Sequence, residues 1–335
     1  MRILLATLLF FASTILGHAT EAPSAAEMTK RLGRGVNLGN ALDAPKEGEW
    51  GVKLEREHFK AIKAAGFQSV RFPIRWSAHA EKTAPYTIEP KFLARVDEIL
   101  GWCREEGLLV VLNMHHYDEL HKEPEAHEER CLALWSQLAT HFANADESLL
   151  LEPLNEPAFK LDAEKWNALL AKLLPILRAK HPTRCLVVGP AQWNNFRALP
   201  KLALPADDRR LIVTFHYYDP FQFTHQGAHW VAGSDKWKGK TWTGSAEEQA
   251  ALDKDFDTVS AWAKEHDRPM YLGEYGAFSA ADMESRAKWT RAVTLAAAKR
   301  GFATAYWEFC SGFGAYDYQK KEWVAPLKDA LLSKE

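Results

Sequence analysis

Eight short apolar runs recur along the chain: GRGVNLG (33–39), QSVRFPI (68–74), LLVVLNM (108–114), SLLLEPLN (148–155), CLVVGP (185–190), LIVTFHY (211–217), PMYLGEY (269–275) and ATAYWEF (303–309). Most are nearly continuous in hydrophobicity rather than alternating, which is the pattern of parallel strands covered on both faces. Amphipathic segments separate them. In 90–106, Phe92, Val96, Ile99, Leu100 and Cys103 return at helical spacing. Segments 55–65, 128–142, 162–180, 246–265 and 282–300 read the same way, and a last helix is expected near 325–332. Gly66 and Gly107 stand just past two of these helices, where a C-terminus favours glycine. The stretch from Trp193 to Leu204 is bounded by prolines and is expected to hold only a short helix.

Eight strands, each followed by a helix, predict an α/β fold of the (β/α)8 TIM-barrel type, formed as a single domain over 20–335. A doubly wound open sheet is the alternative. No GxGxxG or GxxxxGK[ST] opens a helix here, which removes the usual site of such a sheet.

Composition narrows the class further. The chain has 335 residues, 47% hydrophobic and 26% charged, with a formal net charge of -2. That excludes disordered and fibrous proteins, and it leaves no polybasic surface for nucleic acid or membrane. The 13 Trp are unusual, and their flat amphipathic rings suit both core packing and stacking on sugars. Arg2, the apolar run 3–16 and the small residues Gly17 and Ala19 predict a signal peptide over 1–19. Export to the periplasm or medium is expected, with no membrane attachment after cleavage; a retained anchor is the alternative. Cys103, Cys131, Cys185 and Cys310 lack CxxC spacing, so a zinc site is not expected. A Cys103–Cys131 bridge is conceivable, but free buried thiols are the favoured reading.

In such a barrel, chemistry gathers at the C-terminal ends of the strands. There stand Asn37, Asn40 and Asp43; Arg71; His115 and His116; Asn155 and Glu156; His216, Tyr217 and Tyr218; Glu274; and Trp307 with Glu308. Burying so many polar groups without partners costs several kcal/mol each, on the order of 2–7, so a purely structural role for all of them is rejected. Strands 4 and 7 lie three places apart in a ring of eight, so Glu156 and Glu274 face each other across the mouth. Two facing carboxyls are the apparatus of glycoside hydrolysis. Each residue also has a plainer reading: Glu156 as a helix cap, Arg71 as a structural ion-pair partner, Trp307 as core. His115 and His116 are adjacent, and alternation along a strand would aim them at opposite faces, which makes a poor metal motif. Pro153 donates no ladder hydrogen bond and is read as a bulge that helps aim Glu156.

The segments GVNLGNALDAP (35–45), VRFPIRW (70–76), LNMHHY (112–117), LEPLNEP (151–157), FHYYDP (215–220), LGEYGAF (272–278) and YWEFCSGFG (306–314) follow one another at successive strand ends. In this order the chain resembles the retaining endo-glycanases of glycoside hydrolase family 5, within clan A. DAPKEGEWG (43–51), FTHQGA (223–228) and EFCSGFG (308–314) bring it nearest to the endoglucanases of that family that also cut mannans. Asp43 stands where those relatives often carry Glu, and PAQWNN (190–195) matches loosely; both departures bear on substrate preference.

The resemblance implies a general acid/base at Glu156 and a nucleophile at Glu274. It implies a 2-hydroxyl partner at Asn155, Arg71 and Tyr218 holding Glu274, and His216 beside the acid/base. It places Asn40, Asp43, His115, His116 and Trp307 on the walls of the sugar subsites, with Trp193 and Trp230 as outer platforms. Arg71 is expected to keep Glu274 ionised, and Glu156 needs a raised pKa. A carboxyl separation of about 5–5.5 Å is expected, as retention requires. No metal or organic cofactor is expected, and the expected partner is a β-1,4-linked polysaccharide, bound by a monomer. The alternatives are a primary β-mannanase, a metal-dependent hydrolase using His115, His116 and His216, and a non-catalytic sugar-binding protein.

Overall fold

The computed structural model describes residues 22–334, and the expected signal peptide lies outside them. Eight parallel strands close into one barrel in sequence order: β1 (Arg34–Asn37), β2 (Ser69–Phe72), β3 (Leu109–Asn113), β4 (Leu149–Glu152), β5 (Leu186–Val188), β6 (Leu211–Tyr217), β7 (Met270–Tyr275) and β8 (Ala303–Tyr306). Helices Arg56–Ala65, Pro90–Glu105, Pro124–His141, Ala163–Lys180, Ala246–His266 and Met283–Lys299 pack outside it. The connection after β5 carries only Ala191–Asn194 and a 3-10 turn, Phe196–Lys201, as its proline content implied. All eight runs are strands; β1 to β5 and β8 stop one to three residues short of the apolar pattern at the mouth, whereas β6 and β7 reach its end.

Two packed layers explain why the strands read as continuously apolar. Val110, Leu112, Leu149, Leu151, Val213 and Leu272 point outward into the main core with the helices. Leu109, Val111, Leu150, Val187, Ile212 and Tyr271 point inward and fill the barrel. Helix Ala25–Leu32 closes the lower end: Ala25, Met28 and Leu32 join that inner layer. Ser24 caps this helix in a reciprocal pair with Glu27. The four cysteines are buried and unpaired.

The upper inner layer is polar. Asn37, Arg71, Asn113 and Glu152 occupy inward positions at the tops of β1 to β4, all fully buried. Strand β7 departs from alternation at the point that matters. Phe215 pairs with Leu272, but His216 pairs with Glu274, so Gly273 is an extra residue. Without that bulge Glu274 would share the outward phase of Leu272; with it, the carboxyl turns to the axis. A Cβ at Gly273 would lie 2.5 Å from Thr214 Oγ1, so glycine is required there. The bulge expected at Pro153 is absent. Strand β4 ends at Glu152, so Pro153 interrupts no ladder, and its carbonyl accepts from Trp135 Nε1 at 2.8 Å.

Candidate active site

Arg71 organises the mouth. Its side chain is fully buried, and all five of its N–H groups are used. Nε and one terminal nitrogen donate to the two oxygens of Glu152, at 2.8 and 2.9 Å. The remaining donors reach Asn37 Oδ1 at 2.9 Å, Glu274 Oε1 at 2.7 Å and Asn155 Oδ1 at 2.7 Å. Asn37 in turn donates to the carbonyl of Gly273 at 2.9 Å, which ties the bulge to the same network. Glu274 accepts a second bond from Tyr218 Oη at 2.9 Å. Its carboxyl is thereby held from two sides.

Glu156 lies beyond the end of β4, in a left-handed conformation with φ 49. This is uncommon for a residue with a side chain, and such conformations cluster at functional sites. Its Oε1 lies 2.7 Å from His216 Nδ1, and the same nitrogen lies 3.5 Å from Glu274 Oε2. Glu156, His216 and Glu274 each bring a polar atom within 4.8 Å of the other two. The two carboxyls thus face each other across the mouth, as their strand positions implied.

Burial sets the charges. It pushes Glu156 up to about 7; Arg71 opposes the rise and Glu152 adds to it. Glu274 also rises, by less, because burial outweighs the pull of His216 and Arg71. Arg71 was expected to keep Glu274 ionised; it pulls the carboxyl down as expected, but burial more than offsets that pull. Burial lowers His216 to about 4, so its ring is neutral. Glu308 goes up to about 8 by burial, although its Oε1 accepts from the backbone of Ser311 and Phe313.

A cleft of about 660 Å³ opens over the pair, lined by Asn40, Asp43, His115, His116, Glu156, Tyr218, Trp230, Glu274 and Trp307 among others. His115 stacks on Trp307, with centroids 5.5 Å apart and planes at 4°. Both histidines lie past the end of β3, and His116 has φ 45, so strand alternation does not apply and both reach the cleft. Asp43 is almost wholly buried and accepts from the backbone N–H groups of Asn40 and Ala41, which braces the first loop. Its carboxyl rises to about 6 through burial. Asp43, His115 and His116 form a second cluster whose polar atoms lie within 4.8 Å of one another, and His216 is not in it. The three-histidine arrangement considered for a metal hydrolase is therefore not assembled. Trp193 stands outside the cleft, half-exposed and edge-on to Phe159 at 5.4 Å.

Sequence reasoning missed four residues here. Glu152 ended an apolar run, and a buried carboxylate should have demanded a cation. Trp50 lies in a quoted motif, and it lines the cleft beside His116. Phe159 is exposed beside Trp193, and Asn194 lies behind His216, its Nδ2 3.2 Å from Nε2. No motif marked Phe159, and Asn194 lies in PAQWNN, which matched only loosely.

A closed barrel with two carboxyls facing across an aromatic-lined cleft is the architecture of a glycoside hydrolase. The profile of the cellulase family (glycosyl hydrolase family 5) matches residues 33–312, and the chain belongs to that family. It is 38% identical to Endoglucanase H of Acetivibrio thermocellus over 88% of this chain, and spans 31% of that protein's length. Among solved structures, Thermotoga maritima Cel5A in complex with mannotriose superposes with a TM-score of 0.91 at 49% identity, covering 92% of this chain and 100% of that one. The same enzyme has been solved with cellobiose, with the same figures. The cellulose synthase subunit Z of Clostridioides difficile superposes at 0.87 with 36% identity, over 90% of this chain and 99% of the other.

Proposed function

We propose that the protein is a retaining endo-β-1,4-glucanase. Glu274 attacks the anomeric carbon while Glu156 gives its proton to the departing glycosidic oxygen. A glycosyl ester forms on Glu274. Its negative charge is then gone, so the Glu156 carboxyl, now deprotonated, takes a proton from water as that water attacks the same carbon and frees Glu274. The single observation that carries this reading is the approach of the Glu156 and Glu274 oxygens to within 4.8 Å. Inverting enzymes need room for a water, with carboxyls about 6.5–9.5 Å apart, whereas retaining ones stand at about 5–5.5 Å.

The remaining roles follow from the contacts. Arg71 and Tyr218 fix the nucleophile. Asn155 gives its oxygen to Arg71, so its Nδ2 group is the atom left to donate to a sugar 2-hydroxyl. His115 and Trp307 form one wall of the cleft, and Trp50, His116 and Trp230 extend the surface a chain can lie on. Trp193 and Phe159 supply a separate aromatic platform. An aromatic-lined cleft with a further aromatic pair outside it favours internal cutting. Both reacting groups come from the chain, so activity should withstand a chelator. Mannan or glucomannan cleavage is the second activity, supported by the mannotriose and cellobiose complexes of Cel5A. The leader-like residues 1–19 support secretion, which the N-terminal sequence of exported protein tests.

Initial rates on carboxymethyl-cellulose, barley β-glucan and glucomannan, with chelator present, test the reading for the wild type and for Glu274→Gln. Glucan cleavage by the wild type and none by the variant is the expected result, and the ratio of rates ranks glucan against mannan. A wild type silent on all three, or a fully active variant, removes Glu274 from the role of nucleophile.

A further inference from the structure

His216 sits between the two carboxyls, only 5% exposed, and its neutral ring has two possible tautomers. With the hydrogen on Nδ1, the ring donates to Glu156 Oε1 at 2.7 Å and presents a positive edge to Glu274 Oε2 at 3.5 Å. With the hydrogen on Nε2, a bare Nδ1 lone pair faces the Glu274 carboxylate. That nitrogen could then be satisfied only by the proton of Glu156, the proton that must go to the leaving sugar.

The back of the ring decides between them. Asn194 Nδ2 lies 3.2 Å from His216 Nε2, and an amide nitrogen can only donate. Nε2 therefore accepts, and Nδ1 carries the hydrogen. The fold goes to some length to put this amide there. Gln192, Trp193 and Asn194 have successive φ values of 60, 59 and 53, a left-handed turn that is unfavourable for residues with a side chain. Trp193 turns out of this bend into solvent while Asn194 turns in and is fully buried. Gly189 makes the space: a Cβ there would lie 2.4 Å from Asn194 Oδ1. The Nδ2 atom lies 2.9 Å from the same point, so both amide atoms border Gly189; Oδ1 has no hydrogen-bond partner among the described residues, and the NH2 group is the one within reach of the imidazole.

We propose that Asn194 is a positioning residue that fixes the tautomer of His216, so that the imidazole donates to the acid/base and leaves the acid's own proton free for the leaving group. The proposal rests on Glu156 being the acid/base. The titratable and charged groups around the ring are Glu156, Glu274, Tyr218, Arg71, Glu152 and His115. Burial keeps the ring neutral among them, so its tautomer, rather than its charge, is what Asn194 sets.

The test is 15N NMR of histidine-labelled enzyme, with the His216 signals assigned by loss in His216→Gln, together with pH–rate profiles. In the wild type, Nδ1 should be of the protonated type and Nε2 of the bare type. Asn194→Asp keeps the size of the side chain, and aspartate tolerates a positive φ. It places an acceptor behind the ring, so Nε2 becomes protonated and kcat falls about 100-fold, the low end of a general acid's contribution. KM should stay within about twofold and the alkaline limb of kcat should shift. Asn194→Gly, which relaxes the turn, should give a mixture of tautomers and a smaller loss. A wild type protonated at Nε2 overturns the proposal. So does an Asn194→Asp enzyme whose ring is unchanged, whether active or not, since a loss without a change of tautomer is merely structural. If the wild type cuts no glucan, the acid/base reading fails while the NMR result still decides what Asn194 does to the ring.

Discussion

Glu274 and Glu156 show how pairing divides labour between two glutamates that burial raises together. Glu274 is buried and accepts from a guanidinium and a phenol, while Glu156, a quarter exposed, has the His216 imidazole as its one side-chain partner among the described residues. Glu156 therefore climbs further, to about 7. The signs give a bell-shaped profile. On the proposed roles of acid/base for Glu156 and nucleophile for Glu274, Glu156 loses the proton it must donate as pH rises through about 7, and the rate falls. As pH drops toward the pKa of Glu274, which lies above the ordinary carboxylate value, the nucleophile gains a proton and the rate falls again. A kcat/KM profile on a soluble glucan should show both limbs. Glu156→Gln should lack the alkaline one in whatever activity remains, and an unchanged alkaline limb in that variant would assign it to another group. These two glutamates were legible from the sequence because each ends a run at a strand terminus. Glu152 was not, because its role exists only once β2 and β4 are brought together so that Arg71 can meet it.

At the scale of elements, the apolar runs announced every strand, because parallel strands buried on both faces leave little room for polar residues. Phase within a strand was harder to see. In β7 the run PMYLGEY gives no sign that Gly273 is supernumerary; only pairing with β6 shows that Leu272 and Glu274 lie on opposite faces. The proline in LEPLNEP drew attention as a bulge and is none, because the strand stops one residue earlier. The bulge predicts a sharp sensitivity at a position that touches no substrate. Gly273→Ala puts a methyl 2.5 Å from Thr214 Oγ1 and 3.2 Å from His216 Nε2. The strand must shift or the ring must move. Overpacking of this kind costs about 1–3 kcal/mol, and displacement of the nucleophile by about 1 Å costs on the order of 100-fold in rate. Urea unfolding and kcat on β-glucan measure the two losses separately. A variant with wild-type kcat would show that the bulge is packing and does not aim Glu274.

Across the whole molecule, the two ends of the barrel do different work. The upper end carries the charged network, the cleft and the loops. The lower end is closed by helix Ala25–Leu32, whose Ala25, Met28 and Leu32 enter the inner apolar layer with Leu109, Leu150 and Ile212. Arg210 holds the chain just before this helix by donating to the carbonyls of Ala22 and Pro23, at 3.2 and 2.8 Å. Sequence reading placed the first strand at 33–39 and assigned the segment before it no role, since a short amphipathic helix before the first strand looks like a lead-in until the barrel above it is seen to need a floor. The separation has a measurable consequence. Met28 is 1% exposed, and Met28→Ala should cost about 2–5 kcal/mol through lost burial and the cavity left behind. The site lies at the opposite end of the strands, so kcat and KM on a soluble glucan at 25 °C should match the wild type while the urea midpoint falls. If kcat falls with stability, the floor and the catalytic rim are coupled through the inner layer, and the barrel does not insulate one end from the other.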